Sequence, residues 1–212
     1  KTNLRQFGVQ EADIISIVEP ITKYAVMVNE PEKILYHLEK AVHLALSGRP
    51  GPVWIDIPLD VQGFSPDEKN LIHFIPEEMP IKRICGIDIF FEMYQKAKRP
   101  IILAGNGVRL SGAVEDLREF SKSNNIPCVV SYLAVDYFEQ DNLNYVGRLG
   151  IKGDRAGNFA IQNSDLIICL GSRLSVALTG FEYELFARKS KLVVIDIDKD
   201  EHKKNTVKID HF

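Results

Sequence analysis

Apolar and polar positions alternate in a regular way over residues 84–212. Short apolar runs are separated there by segments whose apolar residues recur every three or four positions. Near-continuous apolar strands between amphipathic helices indicate a parallel sheet that is covered on both faces and joined by right-handed crossovers. We therefore expect a doubly wound α/β domain with a mainly parallel sheet. The predicted strands are PIILAG, IPCVVS, DLIICLG and KLVVIDID, and the predicted helices are 88–98, 111–123 with Ser111 as its cap, and a short helix capped by Asp154.

The pattern before residue 63 predicts one helix, a rigid turn and one strand. Apolar positions at helical spacing favour a helix over residues 29–47, with Asn29 and Glu32 forming a capping box. The inward face of the helix would carry Ile34, Leu35, Leu38, Ala41, Val42 and Ala45. Gly48 suits a left-handed end. The following Arg-Pro-Gly-Pro cannot be helical, and VWIDI is typical of a core strand.

Residues 63–83 show no sustained period, although they contain three prolines and several charges. We interpret this segment as an interdomain linker. It would lie along a surface, because four of its apolar residues still need cover: Leu71, Ile72, Phe74 and Ile75.

Composition narrows the class of protein. The chain of 212 residues is 45% hydrophobic and 26% charged, as in an ordinary globular protein, and its net charge of −3 gives no reason to expect nucleic-acid binding. No apolar run approaches the roughly 20 residues that span a bilayer, so no membrane association is expected. The polar start without Met suggests a fragment. Three scattered cysteines without metal-ligand spacing favour a reduced, cytoplasmic protein with no metal site in this chain.

Three predicted strands end in residues that permit ligand binding. In a doubly wound sheet, ligands bind beyond the carboxyl ends of the strands. The ends here are Gly105-Asn106-Gly107, Gly171-Ser172-Arg173 and residues 196–198, where glycines would let a ligand approach the backbone. The nicotinamide fingerprint is incomplete, because Leu110 replaces its third glycine. Tight turns without a ligand, and an Arg173 paired with a surface acid, remain open alternatives. No GxSxG, Walker or HExxH motif indicates a catalytic group within the chain.

One longer motif is more specific. Residues 41–61, A-x-x-x-A-x-x-GRPGPVxIDIPxDV, resemble a signature of thiamine-diphosphate-dependent enzymes of the acetolactate (acetohydroxyacid) synthase large-subunit group. The segments RQFGVQEADI, PITKYAVMV, RPIILAGNGV, GIKGDRAGNFAIQNSDLIICLGSRLS and KLVVIDIDKDEHKKN are similar to that family in order and spacing. The resemblance implies that residues 1–62 are the C-terminal part of the pyrimidine-binding domain, 63–83 the linker and 84–212 most of a Rossmann-like central domain.

The resemblance also implies an activity for the full-length protein. It would be a thiamine-diphosphate- and Mg-dependent transferase, a carboligase or decarboxylase of 2-keto acids in branched-chain amino acid biosynthesis, working as a homodimer or homotetramer. The activating glutamate would lie upstream of Lys1 and the GDG metal motif beyond Phe212, so the fragment alone would be inactive. The alternatives are a stand-alone FAD- or ADP-binding module and a purely structural oligomerisation module.

Particular residues acquire expected roles through the same resemblance. Gln10 matches a glutamine near the family's active site, and Lys23 matches the lysine of the ITK segment; both are the expected catalytic residues, and a solvated lysine is the open alternative for Lys23. FAD is possible, with Arg49 reaching from the first domain towards a site on the second. The sequence departs from the family at Val9, Leu59, Asn106 and 174–180, where two acids and an arginine are lost; these changes leave flavin and substrate open. The expected cofactor-binding residues are Arg49, Gly105, Asn106, Gly107, Leu133, Gly150, Ile151, Lys152, Gly171, Arg173, Asp196 and Ile197.

Overall fold

A computed structural model describes residues 8–9, 11–65, 67–77 and 86–212 of the chain. The chain divides into two compact units, Lys1–Ile81 and Lys82–Phe212.

The first unit is a small parallel βα arrangement. Strands β1 and β2 pair in parallel, with Ala25 opposite Trp54 and Met27 opposite Asp56. The unpredicted β1 spans only three residues. In the described part of this unit the elements are α1 (Ile14–Val18), β1 (Ala25–Met27), α2 (Ile34–Leu46), β2 (Trp54–Asp56) and α3 (Leu59–Gln62), with 3-10 turns at Glu19–Ile21, Pro31–Lys33 and Glu68–Asn70.

Helix α2 confirms the predicted helix but corrects its start and its inward face. The helix is entered through the 3-10 turn Pro31–Lys33, and no side chain caps either start, so the capping box at Asn29 was wrong. Its C-terminal Gly48 has φ +58°, as expected for a left-handed end. Of the residues predicted to face inward, Ala41 is buried, whereas Leu38 and Val42 are 43% and 60% exposed.

Part of the predicted linker lies along α2. The backbone N–H of Phe74 donates to Glu39 Oε2 at 2.8 Å. Its ring meets Tyr36 edge-on with centroids 5.6 Å apart, whereas Ile75 remains 84% exposed. The linker was expected to cover its apolar side chains against a surface. Phe74 is covered in this way by α2, and Ile75 is not.

The second unit confirms the doubly wound α/β fold. Five parallel strands lie in the order β5-β4-β3-β6-β7. All four predicted strands are present, and β5 was missed. The elements of this unit are α4 (Ile87–Lys96), β3 (Pro100–Ala104), α5 (Gly107–Leu110), α6 (Val114–Ser123), β4 (Cys128–Val130), β5 (Tyr145–Arg148), α7 (Arg155–Asn163), β6 (Leu166–Leu170), α8 (Val176–Thr179) and β7 (Lys191–Ile195), with 3-10 turns at Tyr132–Ala134, Tyr183–Leu185 and Glu201–Lys203.

Alternation along β3 divides the core into two layers. Ile102 joins a buried cluster with Phe90 of α4 and Leu117 of α6. Ile101 points to the other face and joins a cluster with Ile161 of α7. Both faces of the sheet are therefore covered by helices, as a parallel sheet requires.

The strand order creates a switch point between β3 and β6. From β3 the chain proceeds to β4 and β5 on one side, and then crosses to β6 and β7 on the other. Ligands of open α/β sheets bind at such a reversal, beyond the carboxyl ends of the strands.

Candidate functional site

Two glycine turns meet at this switch point. The N–H of Gly105 donates to Leu170 O at 2.8 Å, and the N–H of Gly107 donates to Gly171 O at 2.9 Å. The turns after β3 and β6 are therefore joined by backbone hydrogen bonds. The sequence predicted both turns, and the structure brings them together.

The close approach of the two turns requires glycine at positions 105, 107 and 171, because an added Cβ would clash with the backbone of the other turn. A Cβ on Gly105 would stand 2.3 Å from Gly171 O, and one on Gly107 would stand 2.6 Å from Gly171 Cα. Gly171 itself has φ +54°, a conformation that side chains rarely adopt. Backbone packing thus accounts for these three glycines, whether or not a ligand binds.

Tyr137 supports the first glycine turn. Its fully buried hydroxyl donates to Gly105 O and accepts the N–H of Arg109, both at 3.0 Å. The Arg109 guanidinium lies 5.1 Å from the centre of the Tyr137 ring and pairs with Asp136. Sequence reasoning missed Tyr137, because it follows no helical or strand period.

The loops after β4, β5 and β6 are joined by Tyr132. Its hydroxyl donates to Ala177 O at 3.1 Å and accepts the N–H of Lys152 at 2.9 Å. Gly150 has φ +108°, and a Cβ there would stand 2.3 Å from Ala177 O. Leu133 and Ile151 are 69% and 73% exposed at the same edge of the sheet.

Asp154 binds Arg148 instead of capping α7. Its carboxylate accepts the backbone N–H of Arg148 at 2.8 Å and the guanidinium at 2.9 Å. The guanidinium hydrogen bonds hold the pKa of Asp154 at about 2. The predicted side-chain cap is therefore wrong, although Asp154 does occupy the N-cap position. Ser111, likewise predicted as a cap, donates to Val108 O at 2.9 Å, and α6 begins after it.

Charged groups lie close together near the end of β7. Asp196 Oδ1 accepts the N–H of Asp198 at 3.0 Å. Arg173 Nε lies 3.2 Å from Glu201 Oε1, and Lys204 Nζ donates to the same oxygen at 2.6 Å. Burial alone would raise the pKa of Glu201, but the hydrogen bonds from Lys204 and Arg173 lower it to about 2. Arg173 thus has the acidic partner that the alternative interpretation anticipated.

Asn106 differs from these paired groups. Its side-chain amide makes no hydrogen bond within the part of the chain that the structure describes, although the residue is half-buried. It stands between two glycines at the switch point, and Ile197 is 54% exposed at the end of β7. The Asn106 amide is therefore available to hydrogen-bond a ligand at the switch point.

Two of the predicted residues of the first unit, Lys23 and Arg49, meet at one turn. Lys23 Nζ donates to Ser47 O at 2.6 Å and to Arg49 O at 3.1 Å, while its N–H donates to Pro52 O at 2.8 Å. Lys23 thus stabilises, through these three hydrogen bonds, the turn that carries the exposed Arg49. Gln10 lies outside the described residues. The catalytic roles of Lys23 and Gln10 stay predictions.

Other candidate chemistry is limited. Cys128 and Cys169 are free and fully buried, and burial raises the pKa of both thiols, to about 12 for Cys169. They are core residues rather than nucleophiles. Among the described residues, no three His, Cys, Asp or Glu side chains are grouped to hold a metal ion. None of the helices found there is long and apolar enough to cross a membrane.

The residues at the carboxyl edge of the five-stranded sheet fit a nucleotide-type ligand in their chemistry. Exposed apolar side chains could cover a ring system. A guanidinium, and an amide that has no partner among the described residues, could hydrogen-bond phosphate. A carboxylate at a strand end could accept a ribose hydroxyl. The groups concerned are Leu133, Ile151 and Ile197 for the first role, Asn106 and Arg173 for the second, and Asp196 for the third.

A doubly wound parallel sheet with a glycine-lined switch point defines a Rossmann-like α/β domain. Residues 87–211 match the family described as "Thiamine pyrophosphate enzyme, central domain". The chain belongs to this family of thiamine pyrophosphate enzymes.

Curated relatives agree with this assignment. The chain is 37% identical to the acetolactate synthase large subunit of Corynebacterium glutamicum over 197 residues, which are 91% of this chain and 31% of the relative. It is 35% identical to a probable acetolactate synthase large subunit of Methanocaldococcus jannaschii, covering 92% of this chain and 34% of the relative. It is 33% identical to the acetolactate synthase isozyme 2 large subunit of Escherichia coli, covering 92% and 35%. The chain thus spans about a third of the length of these relatives.

Proposed function

We propose that the chain is the central region of a thiamine-diphosphate- and Mg-dependent enzyme that joins or decarboxylates 2-keto acids in the manner of an acetolactate synthase. The observation that carries the proposal is the 37% identity that extends over 91% of the chain, and so over both of its units. The complete protein would act in the cytoplasm, in branched-chain amino acid biosynthesis, as a homodimer or homotetramer.

The chemistry would come from groups outside these residues. Thiamine diphosphate supplies an electron sink for decarboxylation, and the protein supplies position and a dry site. Within this chain Lys23 would hold the turn carrying Arg49, and Gln10 would contact substrate. The activating glutamate and the metal motif would be supplied by other parts of the full-length protein.

Substrate choice would differ from that of the synthases. Ser175, Val176 and Ala177 stand where the resemblance expects two acids and an arginine. They form the cap and first turn of α8 and place no charge there. Because charged groups select among anionic substrates, we propose a different keto acid or acceptor.

Assay of the complete reading frame tests this proposal. The purified protein is given pyruvate or 2-ketobutyrate with thiamine diphosphate and Mg²⁺, and CO₂ release is followed. We expect 2-keto acid consumption that depends on the cofactor, while the 212-residue chain alone is inactive. The absence of any cofactor-dependent turnover with a panel of 2-keto acids would overturn the proposal.

A second candidate function is binding of FAD or ADP at the switch point. It is favoured by Asn106, whose amide lacks a partner among the described residues, and by the exposed side chains of Leu133 and Ile151 nearby on the same edge. Calorimetric titration with each nucleotide at roughly 100 μM protein would register even weak binding. We expect the native protein to release or absorb heat on nucleotide binding. Asn106→Ala should reduce this binding heat, and Gln95→Ala, on the exposed surface of α4, should leave it unchanged. No heat with either nucleotide removes this function, and light scattering then tests the structural, oligomerising alternative.

A further inference from the structure

His202 is a buried histidine that the proposed chemistry does not use. It lies in the 3-10 turn Glu201–Lys203, and its side chain is only 3% exposed. Neither ring nitrogen has a hydrogen-bond partner within the described part of the chain. The ring packs against Phe212 in a tilted arrangement, with ring centroids 5.5 Å apart.

The carboxylate of Asp196 faces this ring. His202 Nε2 lies 3.6 Å from Asp196 Oδ2, slightly beyond hydrogen-bond distance. Oδ1 of the same carboxylate already accepts the N–H of Asp198 at 3.0 Å. Since the Asp196 side chain is 13% exposed, part of this carboxylate still reaches the carboxyl edge of the sheet.

Packing alone does not explain a histidine at this position. An apolar side chain would fill the space beside Phe212 and would avoid the cost of burying two nitrogens that have no partner among the described residues. A closer approach of a few tenths of an ångström would satisfy Nε2 and give Asp196 a second donor. The pairing of a histidine with a carboxylate is a common way to fix the orientation of both groups.

We propose that His202 is a positioning residue that donates its Nε2–H to Asp196 Oδ2. Held by His202 on one oxygen and by the Asp198 N–H on the other, the carboxylate would present its remaining lone pairs to a ligand hydroxyl. The ligand part of this inference rests on the proposed nucleotide function, whereas the His202–Asp196 contact does not.

The other carboxylates of this turn already have partners, and Asp198 Oδ1 accepts the N–H groups of Asp200 and Glu201. Glu201 is bound by Arg173 and Lys204, and Lys203 is paired with Asp200. The Cys169 thiol of β6 interacts electrostatically with Asp196 and is buried. Asp196 is thus the carboxylate that the structure offers to the ring of His202.

Nitrogen NMR tests the contact directly. In ¹⁵N-histidine-labelled protein, long-range proton–nitrogen correlations distinguish the two neutral tautomers of each imidazole, and His202→Gln assigns the signal. We expect His202 to carry its proton on Nε2. A proton on Nδ1 alone, or rapid exchange between both tautomers, would overturn the proposal.

A double-mutant cycle separates pairing from packing. His202→Leu and Asp196→Asn are made singly and together, and thermal midpoints are compared. We expect the Asp196→Asn shift to fall to less than about half in the His202→Leu background, because the paired groups act as a unit. Additive shifts would mean that His202 only fills space and would overturn the proposal.

Nucleotide titration tests the positioning role. We expect His202→Leu to weaken ADP or FAD binding about tenfold, the effect of one lost hydrogen bond to a charged group. His202→Gln keeps a donor near the Nε2 position and should restore most of the affinity. Lys203→Gln, on the exposed side of the same turn, is the control and should change nothing.

These measurements distinguish the two proposals. An Nε2–H tautomer and a coupled cycle, with no nucleotide bound by any variant, would keep the His202–Asp196 contact and remove both the nucleotide function and the ligand-positioning role. Nucleotide binding that is equally strong in His202→Leu would keep the function and overturn positioning.

Discussion

The two units of the chain bury their apolar side chains to very different extents. The second unit carries two clusters of buried residues, one on each face of its five-stranded sheet. In the described part of the first unit, the buried apolar residues are Val18, Val28, Ala41 and Val61. Leu46 is 72% exposed and Trp54 is 42% exposed there. A two-stranded sheet is marginal by itself, and parallel sheets need cover on both faces. Most of the stability of the chain therefore resides in the second unit, which also carries the switch point between β3 and β6.

The glycine contact between β3 and β6 should be the most sensitive point of the second unit. Gly171→Ala adds a Cβ at a φ of +54° and 2.6 Å from Gly107 Cα, so backbone must move. We expect a loss of about 4 kcal/mol or more in the free energy of unfolding, measured by urea denaturation. Gly112→Ala is the matched control, because Gly112 has φ +74° with nothing within 4 Å of an added Cβ. It should cost only about 1–2 kcal/mol. Equal effects of both substitutions would show that the close backbone approach is unimportant.

Truncating one isoleucine in each unit compares how much buried packing contributes to the stability of the two units. Ile102→Ala removes a side chain that is 0% exposed in the second unit, and Ile17→Ala removes one that is 62% exposed in the first. We expect losses of about 3 kcal/mol and less than about 1 kcal/mol in the free energy of unfolding. Denaturant titration of both variants measures the contrast. A large effect of Ile17→Ala would mean that the first unit packs more tightly than its exposure indicates.

Tyr137→Phe should have an intermediate effect on the second unit. The substitution removes the hydroxyl that joins Gly105 O and the Arg109 N–H, and it leaves a carbonyl and an N–H to find other partners. We expect a loss of about 1–2 kcal/mol in the free energy of unfolding, measured in urea. The hydroxyl of Tyr183 makes no hydrogen bond within the residues that the structure describes. Tyr183→Phe should therefore be neutral, and an equal loss in both variants would contradict the role given to Tyr137.

The sequence predicted those parts of the fold whose apolar pattern is strong and local. Strands β3, β4, β6 and β7 are runs of apolar residues, whereas Gly147 and Arg148 interrupt the run in β5. Side-chain caps were predicted wrongly because polar groups have competing partners: Asp154 binds Arg148, and Ser111 bonds to Val108.

The candidate site divides in the same way. Glycines at the ends of apolar runs predict tight turns from the sequence alone, so both turns at the switch point were predicted. Tyr137 reaches a carbonyl 32 residues away, and His202 is defined by the absence of a hydrogen-bond partner among the described residues. Neither property leaves a pattern in the order of amino acids, because both depend on packing between distant segments.

The Arg173–Glu201–Lys204 group should make a smaller contribution to the free energy of unfolding of the second unit, and this contribution should be lost in acid. The pKa of Glu201 is lowered from 4.5 to about 2 when the chain folds; burial opposes this shift, and Lys204 and Arg173 outweigh it. A carboxyl group whose pKa falls on folding contributes stability above its unfolded pKa, and that contribution is lost as the pH falls towards 2. Glu201→Gln should therefore reduce the free energy of unfolding near neutral pH by roughly 1 kcal/mol and flatten its decline below pH 4.5. Urea denaturation across this range measures both effects. Glu119→Gln, on the exposed surface of α6, is the control, and an unchanged acid decline in Glu201→Gln would show that the Arg173–Glu201–Lys204 group contributes nothing to the stability of the carboxyl edge.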